Sequence, residues 1–123
     1  MKKILMIIMM VTTLTLVPAT VQAKTLIDFG EMTCTAYCPC YECSEGYGRK
    51  CAMAGHYCRS EHTIAVDPDV IPLGSKVKIG DTIYTAEDTG GLVNGDHVDI
   101  FFDTHEEVVE FGKQVRQVWV VKK

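Results

Sequence analysis

From Glu61 onward the chain runs as short β-branched stretches, cut at close intervals by proline, glycine and Asn-Gly. That rhythm favours strands joined by tight turns and leaves little room for long helices. Thr63 to Asp67 sets Ile64 and Val66 on one face and Thr63, Ala65 and Asp67 on the other, the period of two of a strand. Pro68 ends this strand, because it has no N–H to give a ladder. Pro72 and Gly74 punctuate the next turn, Val77 and Ile79 mark a second strand, and Gly80-Asp81 turns into a third, Ile83 to Asp88. Thr89-Gly90-Gly91 and Asn94-Gly95 then precede His97 to Asp103, where Val98, Ile100 and Phe102 share one face and Asp99 and Phe101 the other. Val115 to Val121, containing Trp119, reads as the last strand, and Thr33 to Tyr37 as the first. One helix is signalled: Thr104 and Glu107 have capping-box spacing, Val108 and Phe111 follow at helical spacing, and Gly112 is placed to stop it. Six strands and one short helix predict a mainly β chain that closes as a small barrel rather than a layered α/β fold.

The N-terminus carries a different signal. Lys2 and Lys3 precede an uncharged apolar run from Ile4 to Val17, and Val21-Gln22-Ala23 offers small residues for a signal peptidase. The run is about fourteen residues, short of the roughly 20 that span a bilayer. Residues 1–23 are therefore expected to be a signal peptide cleaved after Ala23, leaving 24–123 as one secreted domain with no membrane segment. The net charge of -4 would fall to -6 with the loss of Lys2 and Lys3. An acidic chain without a basic run makes nucleic acid an unsuited partner. A monomer is expected.

All six cysteines, Cys34, Cys38, Cys40, Cys43, Cys51 and Cys58, fall within segment 34–58. In an exported chain an even number reads first as disulfides. Cys38-Pro39-Cys40 and Cys40-x-x-Cys43 also have metal-ligand spacing, with His56 and His62 nearby, so a zinc site of Cys38, Cys40, Cys43 and Cys51 is the alternative. Ser44 to Ser60 has little apolar periodicity and reads as a cross-linked loop. No catalytic metal and no cofactor are expected. His97 and His105 read as solvated residues of a strand and a helix start, and Trp119 as a core residue before a sugar-stacking one.

Three aspartates could carry chemistry. Asp67 and Asp88 each close a strand, where turn chemistry, a side-chain oxygen accepting backbone N–H groups, is an equal reading. Asp99 lies inside a strand among Val98, Ile100, Phe101 and Phe102, with few turn N–H groups to accept. Carboxylates that meet in a partly buried place raise the pKa of at least one of them. Such an acid can protonate a glycosidic oxygen. Gly90 and Gly91 would let backbone approach a ligand closely.

Residues Thr63 to Val121 resemble the three-aspartate, or 3D, domain of bacterial cell-wall proteins. The matching stretches are Ile64-Ala65-Val66-Asp67-Pro68, Val70-Ile71-Pro72-Leu73-Gly74-Ser75, Ala86-Glu87-Asp88-Thr89-Gly90-Gly91, Val98-Asp99-Ile100-Phe101-Phe102 and Glu110-Phe111-Gly112. Upstream, Thr35-Ala36-Tyr37-Cys38-Pro39-Cys40 looks like the cysteine-bearing first strand of one branch of that family. The family is similar to the catalytic domain of membrane-bound lytic transglycosylase A and to stationary-phase survival proteins. The resemblance implies a six-stranded double-psi β-barrel with a groove for peptidoglycan strands. It implies cleavage between N-acetylmuramic acid and N-acetylglucosamine to give a 1,6-anhydro sugar, outside the cell or in its wall. By position it makes Asp99 the acid/base, with Asp88 and Asp67 around it and Thr35, Tyr37, Thr89, Gly90 and Gly91 as substrate contacts.

Two departures qualify the likeness. Ala52-Met53-Ala54-Gly55 stands where relatives carry a Thr-Ala-Ser-Gly-like stretch, and neither the second domain of larger relatives nor a wall-binding repeat is visible. The alternatives to a lytic transglycosylase are a non-catalytic, expansin-like glycan-binding or wall-loosening module, and a hydrolase of the same bond.

Overall fold

The computed structural model describes residues 24–123; the expected signal peptide and its cleavage site lie outside the described residues. Six strands, β1 (Leu26–Tyr37), β2 (Thr63–Val66), β3 (Lys76–Ile79), β4 (Thr82–Asp88), β5 (His97–Phe101) and β6 (Gln114–Val121), form one closed barrel in the order β1-β5-β2-β4-β3-β6. The pairs β1–β5 and β2–β4 are parallel, and the other four are antiparallel. Closure leaves no strand edge for another chain to join. The six-stranded barrel expected from the resemblance is the fold that forms.

Alternation along the strands fills the barrel. Met32 and Cys34 of β1, Ile64 and Val66 of β2, Val77 and Ile79 of β3, Val98 and Ile100 of β5, and Val118 and Val120 of β6 are buried together. Each such aliphatic side chain removed from water contributes about 1.5–3 kcal/mol. Ile71, in the loop after β2, is buried in the same cluster.

β2 is buried on both faces. Ala65 joins Tyr37, Cys58, Val93 and Phe101 in a second cluster on the opposite side of the strand from Ile64 and Val66. The Tyr37 and Phe101 rings meet edge to face at 5.2 Å. Cysteine-rich segment 34–58 therefore supplies packing as well as connection.

Three local features differ from the sequence reading. β1 starts at Leu26 rather than Thr33, because a bulge between Asp28 and Glu31 breaks the alternation. Gly30 takes φ +76° there, and its N–H is held by Asp28 Oδ1 at 2.7 Å. Besides the expected helix, α2 (His105–Phe111), a one-turn helix, α1 (Tyr41–Ser44), forms inside the cysteine segment. Cys40 caps α1, its sulfur accepting the Cys43 N–H at 3.5 Å, and a cysteine is not a residue the sequence marks as a cap. Trp119 is half-buried with the Lys78 ammonium 5.1 Å from its ring centre, rather than part of the core. For α2 the reading holds: Thr104 accepts the Glu107 N–H, and the Gly112 N–H closes on Val108.

Candidate functional site

The barrel register brings four polar or small side chains into one row. Thr35 of β1 pairs with Asp99 of β5, Asp99 with Ala65 of β2, and Ala65 with Asp88 of β4. These contacts join residues far apart in sequence, so no local spacing announces them. Ala65 between the two aspartates keeps the floor low, since its side chain is a single methyl group. Above this floor opens a groove of about 660 Å³. Tyr37, Ala65, Asp88 and Asp99 line it together with residues of segment 43–52 and with Thr89, Gly90, Gly91, Leu92 and Val93.

Asp99 is the electrostatically distinct member. Burial raises its carboxyl to about 6 from an ordinary 3.8, and the Asp88 charge pushes the same way; Thr35 and His97 oppose it. The Thr35 hydroxyl is 3.0 Å from Asp99 Oδ1 and 2.7 Å from His97 Nε2. On its other side, His97 Nδ1 lies 3.1 Å from the Leu92 carbonyl.

A carbonyl only accepts, so Nδ1 carries a proton and the hydrogen bonds along the chain are constrained. If Asp99 is ionised, Thr35 donates to it, and His97 satisfies Thr35 by donating from Nε2 as an imidazolium. If His97 is neutral, Thr35 donates to Nε2, and a protonated Asp99 donates to Thr35. Both fully bonded arrangements hold one mobile proton along Asp99–Thr35–His97.

Asp88 is held rather than free. Oδ1 accepts the N–H groups of Ala52 and Thr89, each at 2.9 Å, and Oδ2 accepts the Tyr37 hydroxyl at 2.8 Å. Burial, then the Asp88 charge, pushes the Tyr37 phenol far up, so it remains a donor. Next to it, Glu87 is buried on the opposite side of β4, 3.0 Å from His56 Nδ1 and 2.6 Å from His62 Nε2. The Glu87 carbonyl also takes the Met53 N–H at 3.0 Å, which ties the cysteine segment to the end of β4.

Asp67 stands outside the groove lining. Its carboxylate accepts the N–H groups of Gly95 at 2.8 Å and Asp69 at 3.0 Å, and these bonds hold its pKa below the ordinary value. Its contacts clamp the 67–69 turn to the Asn94-Gly95 turn, two residues before His97. Of the expected substrate contacts, Tyr37, Thr89, Gly90 and Gly91 line the groove, and Thr35 reaches it through Asp99. A Cβ at Gly90 would meet Val93 Cγ2 at 3.1 Å, so a larger residue there displaces the wall.

The six cysteines, expected as disulfides, form no S–S bond in this structure. Cys34 is buried in the barrel interior, and Cys51 and Cys58 face each other beside Asp88 with sulfurs 2.8 Å apart. The alternative four-cysteine zinc set is also not assembled, because Cys51 belongs to that pair. His105 instead reaches Cys38, Cys40 and Cys43.

Sequence reasoning read His97 and His105 as solvated, whereas His97 is half-buried against Thr35 and exposed His105 faces three cysteines; it missed the Ala52 N–H and the Glu87 pair of histidines. Only His97 had a usable signal, since the period of two puts it on the face of Asp99.

The 3D domain model matches residues 62–122 of this chain. The cell wall-binding protein YocH of Bacillus subtilis (strain 168) is 44% identical over 59 residues, covering 47% of this chain and 21% of YocH. Among solved structures, MltA from E. coli superposes with a TM-score of 0.50 at 24% identity, over 60% of this chain and 27% of MltA. The lytic transglycosylase LtgG of Burkholderia pseudomallei gives a TM-score of 0.50 at 26% identity, over 57% of this chain and 25% of LtgG. The chain thus spans only about a fifth to a quarter of these relatives.

Proposed function

Because residues 62–122 make this chain a 3D-domain protein, we propose that it acts outside the cell on the glycan strands of peptidoglycan and cleaves them as a lytic transglycosylase. The observation that carries the reading is the Asp99 carboxyl, raised to about 6 by burial at the base of an open groove. A lytic transglycosylase among the structural relatives supports the choice of reaction. Protonated Asp99 gives its proton to the oxygen joining N-acetylmuramic acid to N-acetylglucosamine, and the bond from that oxygen to C1 of the muramic residue breaks. The muramic C6 hydroxyl then bonds to C1, its proton returns to the Asp99 carboxylate, and a 1,6-anhydro end results. Attack from within the same sugar provides the high effective concentration that an external water lacks. The Thr35 hydroxyl, donating to Asp99 Oδ1, stabilises the ionised form of Asp99 between the two proton transfers. Asp88, fixed by Tyr37, Ala52 and Thr89, faces the positive charge that develops on the sugar ring.

A second reading, a wall-binding module without turnover, is favoured by the name of YocH, a cell wall-binding protein. Incubating the protein with insoluble peptidoglycan separates the two. Soluble muropeptides released into the supernatant support cleavage. Protein that sediments with the wall and releases nothing at any pH from 4 to 8 replaces it with binding.

A further inference from the structure

The described cysteines divide into one, two and three, and only the group of three has a histidine. Cys34 is enclosed by the barrel, and Cys51 and Cys58 face one another. Cys38, Cys40 and Cys43 remain, and an odd group of thiols cannot be satisfied by disulfides among its own members. His105, from the start of α2, brings Nδ1 to 3.8 Å from Cys38 Sγ, 3.6 Å from Cys40 Sγ and 3.4 Å from Cys43 Sγ. The Cys38 and Cys40 sulfurs are 3.2 Å apart, and all four ligand atoms lie within 4.8 Å of one another.

Tetrahedral zinc holds sulfur at about 2.3 Å and imidazole nitrogen at about 2.0–2.1 Å. That geometry separates two sulfurs by about 3.8 Å and a sulfur from a nitrogen by about 3.6 Å. The cluster has the donor set, and its three sulfur–nitrogen distances match that geometry; the Cys38 and Cys40 sulfurs are closer together than in a loaded site, so loading would spread them. The Cys43 N–H directed at Cys40 Sγ, at 3.5 Å, is the type of contact that favours a thiolate ligand. We propose that Cys38, Cys40, Cys43 and His105 bind one zinc ion in a closed structural site.

Four protein donors leave no open coordination position, so the ion serves the fold and takes no part in glycan chemistry. Its ligands lie just after β1, in α1 and its cap, and at the first residue of α2, with His105 some 62 to 67 residues from the cysteines in the chain. Cys38 directly follows Tyr37, and Cys43 itself lines the groove. The ion would therefore fix the groove wall from Cys43 to Ala52 against the strand that supplies Thr35 and Tyr37. Loading releases the thiol protons of the three cysteines, so affinity falls as pH drops. This assignment stands whether the groove cleaves glycan or only binds it.

The test uses the full chain, refolded with reductant and either zinc or cobalt(II), then freed of unbound metal. One equivalent of zinc by elemental analysis, and the visible absorption of tetrahedral cobalt thiolate, are expected. Cys43→Ser and His105→Ala should lose the metal or bind it at least tenfold more weakly, while Cys51→Ser keeps the full equivalent. Absence of bound metal and of the cobalt thiolate band in the wild-type chain would overturn the site, even if the variants do not fold. Equal metal content in Cys43→Ser and His105→Ala, or its loss in Cys51→Ser, would overturn the ligand assignment.

Discussion

Replacing Asp99 by asparagine should make the protein more stable at neutral and alkaline pH while removing its proton donor. The folded protein holds the Asp99 carboxyl at about 6, against 3.8 when exposed, chiefly because burial disfavours the charge. Between those values the folded state binds more proton than the unfolded state, so stability falls as pH rises. The contribution is fully present below pH 3.8 and lost once pH passes through about 6. Two pKa units correspond to about 3 kcal/mol, and the partial opening of the groove to solvent reduces this to about 2 kcal/mol. Asparagine has nearly the same shape, cannot ionise, and still offers Thr35 a carbonyl oxygen. For a domain of this size, Asp99→Asn should therefore raise Tm at pH 8 by on the order of 10 °C. The gap should close toward pH 4. Thermal melts of both proteins across that range supply the measurement. A pH-independent difference, or a variant less stable at pH 8, would refute an Asp99 charge destabilised by burial.

Three further substitutions probe the site's supports. Tyr37→Phe removes the donor to Asp88 Oδ2 without opening a cavity, so glycan release should fall about tenfold with the fold retained; unchanged release would remove Asp88 orientation from the account. Thr35→Val deletes the hydroxyl between Asp99 and His97, which now holds the Asp99 pKa down, so the pH profile of release should shift upward. A profile that does not move would show that His97 and Asp99 are uncoupled. Ala65→Leu introduces bulk between the two aspartates at a position 2% exposed, which should cost about 1–3 kcal/mol and abolish release; a variant with full activity would place the substrate elsewhere.

Period-two patterning made the strands legible because a barrel of this size buries one face of each strand in the same interior. The exceptions have local causes. A Gly30 bulge hid the first half of β1, and a cysteine sulfur served as the cap of α1. The groove was legible only as a set of candidates. Asp99 stood out because a carboxylate amid apolar strand residues lacks turn partners, whereas Asp67 and Asp88 had ordinary turn readings. The structure separates those two: Asp67 holds two turn amides outside the groove, and Asp88 accepts Ala52 and Tyr37 from distant segments at its base. The approach of Thr35 to Asp99, of Ala65 to both aspartates, and of His105 to three cysteines depends on barrel closure. No sequence spacing encodes closure.

Asp99 as the proton carrier of a glycan-cleaving groove is tested most directly by product analysis. Purified peptidoglycan is digested with the wild-type protein and with Asp99→Asn, and the soluble fragments are examined by mass spectrometry. The account predicts 1,6-anhydromuramic ends from the wild type and none above background from the folded variant. Fragments with free reducing muramic ends would replace transglycosylation with hydrolysis. Anhydro ends released equally by both proteins would contradict the role assigned to Asp99.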